Sequence, residues 1–264
     1  MIIGASHITL GCVNLDAAIA HLGTYGYRPD FIDRNVPNNR SKWPVLNAKC
    51  EAHSIGLLRS AAGFPIELVH YRNEALEGLG RYVGVFGTER SFAGQREMGL
   101  GGFSLEMPSE LLLRWEIGSI GHMDAPAFFV RNASARAGLS QVVLPVSNLQ
   151  ASRQLWCDVL GFCLHTEATE FAELRFASPV AAWRLALILV ASSPAETRPK
   201  LDAKGMTCLS LLSSNVDDDV RSVISGGAQL VTDIFTIKIN GRDLKVAILM
   251  DEDGAFIELL QIVR

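Results

Sequence analysis

The feature that most constrains this fold is an internal repeat, present in three clear copies. In each copy an apolar segment leads into Asn-Leu or Asn-Val, and an amphipathic segment follows. A glycine then comes 19 or 20 residues after a potential ligand near the start of the apolar segment. The three ligand and glycine pairs are His7 and Gly26, Gln141 and Gly161, and Cys208 and Gly227. Such agreement is hard to obtain by chance, so we infer that the chain repeats one small folding unit.

The local chemistry of each copy predicts a strand followed by a helix. Asparagine is a favoured N-cap residue, and one stands at each junction: Asn14, Asn148 and Asn215. The apolar spacing predicts helices over Leu15–Tyr25 and Leu149–Leu160. The glycine after each helix predicts a left-handed end, and β-rich segments follow. Each copy therefore predicts a β-α-β-β-β module.

A weaker unit fills the gap between the first two clear copies. Its predicted opening strand is Gly102–Met107, and no clear helix separates its strands. The sequence therefore predicts an α+β fold of four β-α-β-β-β modules, of which the second is degenerate. A linker near Asn132–Gly138 divides the chain into an N-terminal part, 1–132, and a C-terminal part, 139–264.

Composition excludes several classes of partner. The net charge is -4, and the longest run of like charges is Asp217–Asp219, so we expect no nucleic-acid surface. The sequence has neither an apolar stretch long enough to cross a bilayer nor a secretory signal. Its five cysteines are scattered and odd in number, which fits a reducing compartment. We expect a cytoplasmic protein with a small-molecule partner, no nucleic acid and no membrane. Exposed sheet edges also allow a homodimer.

Short motifs in the chain resemble the vicinal oxygen chelate superfamily. Met250–Leu259 is similar to its closing signature, a turn that leads into a strand with an acidic ligand, and Gly63–Val69 is the N-terminal counterpart. The superfamily includes glyoxalase I, ring-cleaving dioxygenases and bleomycin-resistance proteins. The resemblance implies that modules pair into two cup-shaped half-barrel sheets, with one glyoxalase-like domain in each part of the chain.

The resemblance also implies a divalent metal ion, which could be Fe, Mn, Ni, Zn or Co. Carried over by position, the candidate metal ligands are His7, Glu67, Gln141, Cys208 and Glu258. These side-chain types bind such ions and leave positions open for a substrate. Glu67 and Glu258 are also the candidate catalytic residues, because an acid within Ile-Glu-Leu is costly to bury without a partner.

The ligand set depends on how the modules pair. If neighbours pair, one with two and three with four, neither cup is complete, since Cys208 replaces the family's histidine and alanine stands near position 186. If modules one and four pair, His7, Glu67, Cys208 and Glu258 share a cup, and Gln141 is left among apolar residues. Consecutive units are usually neighbours, which favours the first arrangement.

Two functions follow from the resemblance. The first is a metal-dependent lyase, isomerase or ring-cleaving dioxygenase that acts on a small molecule with adjacent oxygens. The second is a metal-free protein that binds or sequesters a small molecule, with no cofactor because its site is degenerate. The candidate substrate contacts are Phe103 and Trp43, and the loop that contains Trp43 also offers Arg40 and Lys42 to an anionic or aromatic ligand.

Overall fold

The computed structural model describes residues 1–61, 63–72, 77–86, 96–100, 103–107, 115–120, 125–130, 138–176, 185–194 and 198–263. Between 96 and 130 the description covers the backbone of four strands. Among the described residues, no helix is both long and apolar enough to cross a membrane.

Eighteen strands and three α-helices make up the described structure. The strands are β1 (Ile2–Gly11), β2 (Arg28–Pro37), β3 (Ala52–Ser60), β4 (Gly63–His70), β5 (Val83–Phe86), β6 (Arg96–Leu100), β7 (Phe103–Met107), β8 (Trp115–Ile120), β9 (Ala125–Val130), β10 (Leu139–Val146), β11 (Cys163–Glu167), β12 (Phe171–Arg175), β13 (Ala186–Ala191), β14 (Gly205–Ser213), β15 (Gln229–Leu230), β16 (Phe235–Ile239), β17 (Arg242–Met250) and β18 (Phe256–Ile262). The helices are α1 (Leu15–Thr24), α2 (Leu149–Gln154), which continues as a π-helical turn (Leu155–Val159), and α3 (Val216–Ser225), with a 3₁₀ helix at Arg40–Val45.

The strands form two large sheets and one hairpin. The larger sheet has nine strands, in the order β15-β17-β18-β14-β1-β4-β3-β2, with β16 beside β17. The smaller sheet has seven, in the order β11-β12-β13-β10-β5-β9-β8, and β6 pairs only with β7. The prediction of an α+β fold with two curved sheets is confirmed.

The expected pairing of module one with two and of module three with four is wrong. The larger sheet joins the first module to the fourth through the antiparallel pair β1 and β14, in which His7 lies opposite Ser210 and Thr9 opposite Cys208. The second module pairs instead with the third, because residues 77–86 lead the chain from the larger sheet to the smaller one. Tyr82 bridges to Met206 of β14, and β5 then pairs with β10 in the smaller sheet. The boundary between 1–132 and 139–264 stays a prediction, since residues 131–137 lie outside the described residues.

The local predictions for the clear copies are largely confirmed. Each junction asparagine caps its helix, and the Asn14 side chain, for example, accepts a hydrogen bond from Ala17 N at 3.0 Å. The three glycines after the helices have positive φ: Gly26, Gly161 and Gly227. Between β2 and β3 the chain forms the 3₁₀ helix, which the Asn39 side chain caps.

The predicted start of the second module is wrong. Residues 103–107 form β7, which belongs to the hairpin and to neither large sheet. The opening strand is β5, whose Val85 lies opposite Gln141. A four-residue strand rich in valine and glycine carries a weak signal, because its length is below that of a typical strand.

Alternation along the central strands separates two apolar layers. One side of the larger sheet packs against the helices through residues such as Ile8, Leu209 and Ile257. The opposite side carries Val69, Cys208 and further residues of a second apolar cluster. Because side chains in a strand alternate between faces, His7 and Thr9 fall on the second side, away from the helices. That concave side holds the candidate site.

Candidate functional site

A cavity of about 480 Å³ lies in the concave side of the larger sheet. Its walls are mainly apolar, with isoleucine, leucine and valine side chains from β3, β16, β17 and β18. Polar side chains gather in one part, where the lining includes His7, Glu67, Cys208 and Glu258. Four of the five predicted metal ligands therefore share one cavity, because the first and fourth modules share one sheet.

His7 stands between the two glutamates. Its Nε2 lies 3.6 Å from Glu67 Oε2 and 3.7 Å from Glu258 Oε2. The three side chains are 7%, 12% and 14% exposed, so the whole group is shielded from bulk water. Nδ1 of His7 is 3.0 Å from Ser6 Oγ, whereas Nε2 has no hydrogen-bond partner in the described part of the chain. A proton on Nδ1 that is donated to Ser6 leaves the Nε2 lone pair directed at the space between the carboxylates.

Each glutamate is held by a hydroxyl from the neighbouring strand. Thr9 donates to Glu67 Oε2 at 3.2 Å, and Ser210 donates to Glu258 Oε2 at 2.6 Å. The same strand register produces both bonds, since Thr9 pairs with Glu67 across β1 and β4, and Ser210 pairs with Glu258 across β14 and β18. The duplication has thus copied a hydroxyl and carboxylate pair, and each hydroxyl fixes the orientation of its carboxylate.

The charges of this group influence each other strongly. Burial alone would lower the pKa of His7, but the carboxylates of Glu67 and Glu258 outweigh it and raise that pKa. Burial acts to raise the pKa of Glu67, but the charge and hydrogen bonding of His7, together with the nearby Lys42 and His53, outweigh burial and lower that pKa. Burial, together with the charge of Glu67, raises the pKa of Glu258. In the absence of a metal ion, the positive charge of His7 offsets the energetic cost of shielding two carboxylates from water.

Cys208 occupies the position of His7 in the fourth module. It is buried, lines the cavity and lies opposite Thr9 in the β1 and β14 pair. Burial, with the nearby charges of Glu258 and Glu67, raises the pKa of the Cys208 thiol well above its ordinary value. Without a bound cation Cys208 is therefore a neutral thiol, and a bound metal ion would favour its thiolate.

The two distances from His7 Nε2 can be compared with those between the ligands of a zinc ion. In a tetrahedral site with bonds of about 2.1 Å, neighbouring donors lie roughly 3.4 Å apart. The 3.6 and 3.7 Å distances from His7 Nε2 exceed this by a few tenths of an ångström. No group of three or more His, Cys, Asp and Glu residues in the described ranges forms an assembled metal site. Small side-chain movements toward a shared cation would close the difference.

The fifth predicted ligand, Gln141, lies in the smaller sheet. It is buried beside Val85 on one neighbouring strand and Ala186 on the other, and its Oε1 has no partner within the described chain. The residue that corresponds to Glu67 there is Ile188, since it pairs with Val143, two residues after Gln141. The position estimated from sequence, near Ala186, was two residues too early.

The two predicted substrate contacts lie outside the cavity or outside the description. Trp43 packs at the edge of the second apolar cluster and donates from Nε1 to Cys50 O at 3.2 Å, and it does not line the cavity. The backbone of Phe103 is in β7, while its side chain lies outside the described residues.

Several cavity residues had little or no signal in the sequence. Lys42 and His53 line the cavity, and so does Tyr71, on which the His53 ring stacks with centroids 5.4 Å apart. Each comes from a loop or a strand end without a repeated pattern. Thr9 and Ser210 did have a signal, because each stands two residues after its copy's first ligand.

Comparisons with known proteins bear on the family and the fold. Residues 138–259 match the sequence profile of the Glyoxalase/Bleomycin resistance protein/Dioxygenase superfamily. No curated protein shows significant sequence similarity to the chain.

Solved structures match the whole fold. Glyoxalase I from Zea mays aligns with a TM-score of 0.57 and 13% identity, over 97% of this chain and 92% of that one. Its V278E mutant gives 0.59 and 13%, over 97% and 92%. A proposed dioxygenase from Bacillus subtilis subsp. subtilis strain 168 gives 0.56 and 11%, over 98% and 85%. Residues 138–259 therefore belong to the glyoxalase, bleomycin-resistance and dioxygenase superfamily, and the chain as a whole has the vicinal oxygen chelate fold.

Proposed function

We propose that the chain is a metal-dependent enzyme that acts on a small molecule with two adjacent oxygens. His7, Glu67 and Glu258 would hold one divalent ion, and Cys208 stands where a fourth ligand would come from. The observation that carries the proposal is the convergence of an imidazole and two carboxylates, all largely shielded from water, on one point of a cavity with mainly apolar walls.

The cost of this arrangement supports a functional role. Ionised groups are expensive to bury unless they are paired or coordinate a metal. Here two carboxylates share one imidazole whose Nε2 makes no hydrogen bond to the described residues. A purely structural role would be better served by one carboxylate per histidine or by apolar residues, which are often neutral or stabilising in place of a buried ion pair.

The chain's own residues define the rest of the chemistry. A divalent ion at this point would polarise the two substrate oxygens and stabilise negative charge that develops on them. Ser6 fixes the orientation of His7, and Thr9 and Ser210 fix those of Glu67 and Glu258. The apolar walls exclude water from the reacting atoms. One carboxylate of the pair can then accept a proton from the substrate, as a general base within reach of the bound molecule.

The donor set favours proton transfer over ring cleavage. The resemblance associates ring-cleaving dioxygenases with two histidines and one glutamate, whereas this cavity offers one histidine and two glutamates. The second carboxylate is what a lyase or isomerase needs as a base. Glu258 and Glu67 are accordingly our candidates for catalysis.

A metal-free binding or sequestration protein is the second candidate. The observation in its favour is the large apolar share of the cavity wall, together with Cys208 at a position where the family has histidine. In that case His7 and the two glutamates would bind the polar end of the ligand directly, and the protein would release it unchanged.

Metal content separates the two candidates. The enzyme hypothesis predicts about one equivalent of Fe, Mn, Ni, Zn or Co in protein purified without added metal, and its loss in Glu67→Gln and Glu258→Gln. Glu173→Gln is the matched control, because Glu173 is a buried glutamate of the smaller sheet that is bonded to Arg175 at 2.8 Å. Metal-free wild-type protein that still binds aromatic compounds tightly, and does not take up these ions when they are added, would favour sequestration.

The proposal also concerns the cellular compartment of the protein. The five cysteines are all free, and Cys208 and Cys12 are buried, which suits a reducing compartment such as the cytoplasm. We further propose that the chain forms a homodimer through its sheet edges, which size-exclusion chromatography with light scattering tests directly.

A further inference from the structure

Lys42 places a positive charge in the wall of the cavity. It belongs to the 3₁₀ helix and is 7% exposed, a rare location for a lysine. The segment is held in place on both sides of Lys42, since Asn39 caps the helix before it and Trp43 donates from Nε1 to Cys50 O at 3.2 Å after it. The backbone of this segment therefore places the Lys42 side chain at the cavity wall.

This ammonium has no anionic partner among the described residues. No carboxylate of the described chain lies within 4.0 Å of Nζ, and the nearest aromatic contact is the Phe235 ring, 5.4 Å from Nζ to its centroid. The charge of Lys42 nevertheless reaches Glu67 and Glu258, since it acts to lower the pKa of both. A buried cation that stands near the reacting groups but is paired with none of them is costly, and a bound anion would remove that cost.

His53 offers a second unpartnered polar group beside Lys42. It is 1% exposed, it lines the cavity, and its Nδ1 has no hydrogen-bond partner in the described ranges. Burial and the charge of Lys42 lower the pKa of His53 to about 3, so its ring is neutral at physiological pH. The ring stacks on Tyr71 with an interplanar angle of 20°, which fixes its orientation.

Two arginines, Arg59 and Arg242, also line the cavity, and both are exposed. Arg59 is bonded to Asp30 at 3.0 Å, and the two side chains are 50% and 45% exposed. Among the described lysine and arginine residues that line the cavity, Lys42 is thus the buried one. The two nearby glutamates would repel a second negative charge. These charges select a ligand with a single negative charge.

We propose that Lys42, with His53 beside it, is the anion-binding end of the cavity, and that the ligand is an apolar carboxylic acid. Its carboxylate pairs with the Lys42 ammonium, and its body contacts the isoleucine, leucine and valine walls. The two adjacent oxygens of the ligand would then face His7, Glu67 and Glu258. This part of the inference rests on the proposed function. A phosphate is disfavoured because one ammonium faces its two charges, and Lys provides a point charge where Arg would provide a fork.

The test uses two probes of the same shape, 2-naphthoate and its uncharged counterpart 2-naphthamide. The full-length protein is first treated with a chelator, so that binding is measured without any metal. We expect wild-type protein to bind 2-naphthoate about 10- to 100-fold more tightly than 2-naphthamide in calorimetric titrations. Lys42→Met should abolish this preference and leave the affinity for 2-naphthamide unchanged, whereas Lys42→Arg should keep most of it.

Lys238→Met is the matched control, because Lys238 is an exposed lysine on β16 between two residues that line the cavity. It should keep the wild-type preference. Equal binding of the two probes by wild-type protein would overturn the proposal, and so would a Lys42→Met variant that keeps the preference. The wild-type ratio decides the matter even if Lys42→Met fails to fold.

The same variants keep this proposal separate from the proposed function. A wild-type protein that is purified without metal, takes up none of the added ions and prefers 2-naphthoate supports the anion site and contradicts the enzyme. A wild-type protein with one metal ion and no preference supports the enzyme and contradicts the anion site.

Discussion

The two curved sheets are built from the same type of module, yet among the described residues only the larger sheet carries the candidate site. In the larger sheet, the first and last strands of modules one and four present His7, Glu67, Cys208 and Glu258. In the smaller sheet, the described positions that correspond to the first three of these are Gln141, Ile188 and Val83. The two sheets share one strand register. In the described part of the chain, the group of ionisable side chains is found in the larger sheet.

The difference shows which sheet carries the energetic cost of burying charged side chains. The smaller sheet has placed apolar residues at Ile188 and Val83, and its buried Glu173 is neutralised by Arg175 at 2.8 Å. The larger sheet retains two carboxylates around one histidine. Fold stability does not require those charges, since the smaller sheet forms without them. Their retention is therefore best explained by the function of the larger cavity.

The largest effect on stability is expected when a glutamate is placed in the smaller sheet at the position that corresponds to Glu67. Ile188→Glu would bury a carboxylate whose neighbouring first-strand residue is the neutral Gln141 and not a histidine. We expect a loss of about 3 kcal/mol in the free energy of unfolding at pH 7, measured by denaturant titration.

The control for this substitution is Ile188→Met, which preserves volume and should cost less than about 1.5 kcal/mol. If Ile188→Glu were as stable as wild type, the two concave surfaces would be equally tolerant of charge. That result would contradict the inferred difference between the two sheets.

Removing the hydroxyl that holds Glu258 should weaken metal binding without removing a ligand. Ser210→Ala deletes the 2.6 Å bond to Glu258 Oε2. Groups that orient a metal ligand typically contribute about 10- to 100-fold in affinity. We therefore expect a loss of that size for Zn²⁺ in competition with a chelator. Thr236→Ala, at an exposed threonine of β16, should leave the affinity unchanged. Equal losses in both variants would contradict a local role for Ser210.

The neutral state of His53 predicts an acid-sensitive stability. The unfolded chain binds a proton at this residue near pH 6.5, whereas the folded protein does so only near pH 3. Stability from this source is therefore complete above pH 6.5 and is lost as the pH falls toward 3. Between pH 7 and pH 5 the wild type should lose about 2 kcal/mol more than His53→Phe, which keeps the ring stack on Tyr71. An equal pH dependence of stability in the two proteins would show that folding does not lower the pKa of His53.

The smallest effect is expected at Gln141. Gln141→Leu removes a buried amide oxygen that has no partner within the described residues. The free energy of unfolding should change by less than about 1 kcal/mol, and metal content should stay at the wild-type level. Loss of metal in this variant would place the ion in the smaller sheet and invert the comparison.

Much of the fold could be predicted because its signals are local. The junction asparagines and the glycines after the helices act within a few residues of their own positions, and the structure confirms them. Sheet pairing could not be predicted in the same way. It depends on the path of residues 77–86, which bring Tyr82 next to Met206, and a short stretch such as β5 carries no periodic pattern.

The site was predictable to the extent that it repeats. Glu67 and Glu258 lie in matching Ile-Glu-Leu segments, and the repeat also contains the hydroxyls of Thr9 and Ser210. Lys42 and His53 occur once each, and only tertiary structure brings them to the cavity. The sequence could suggest Lys42 as a contact for an anion but not its burial, because neighbouring residues do not determine how deeply a loop lysine is inserted.

The most direct test of the central claim is a crystal of the protein soaked in Mn²⁺ or Zn²⁺, with anomalous diffraction recorded at the metal's absorption edge. Our account predicts one strong peak about 2.0 to 2.2 Å from His7 Nε2 and from an oxygen of each of Glu67 and Glu258. A peak at Gln141 in the smaller sheet, or a fully loaded protein with no peak among these three side chains, would contradict it.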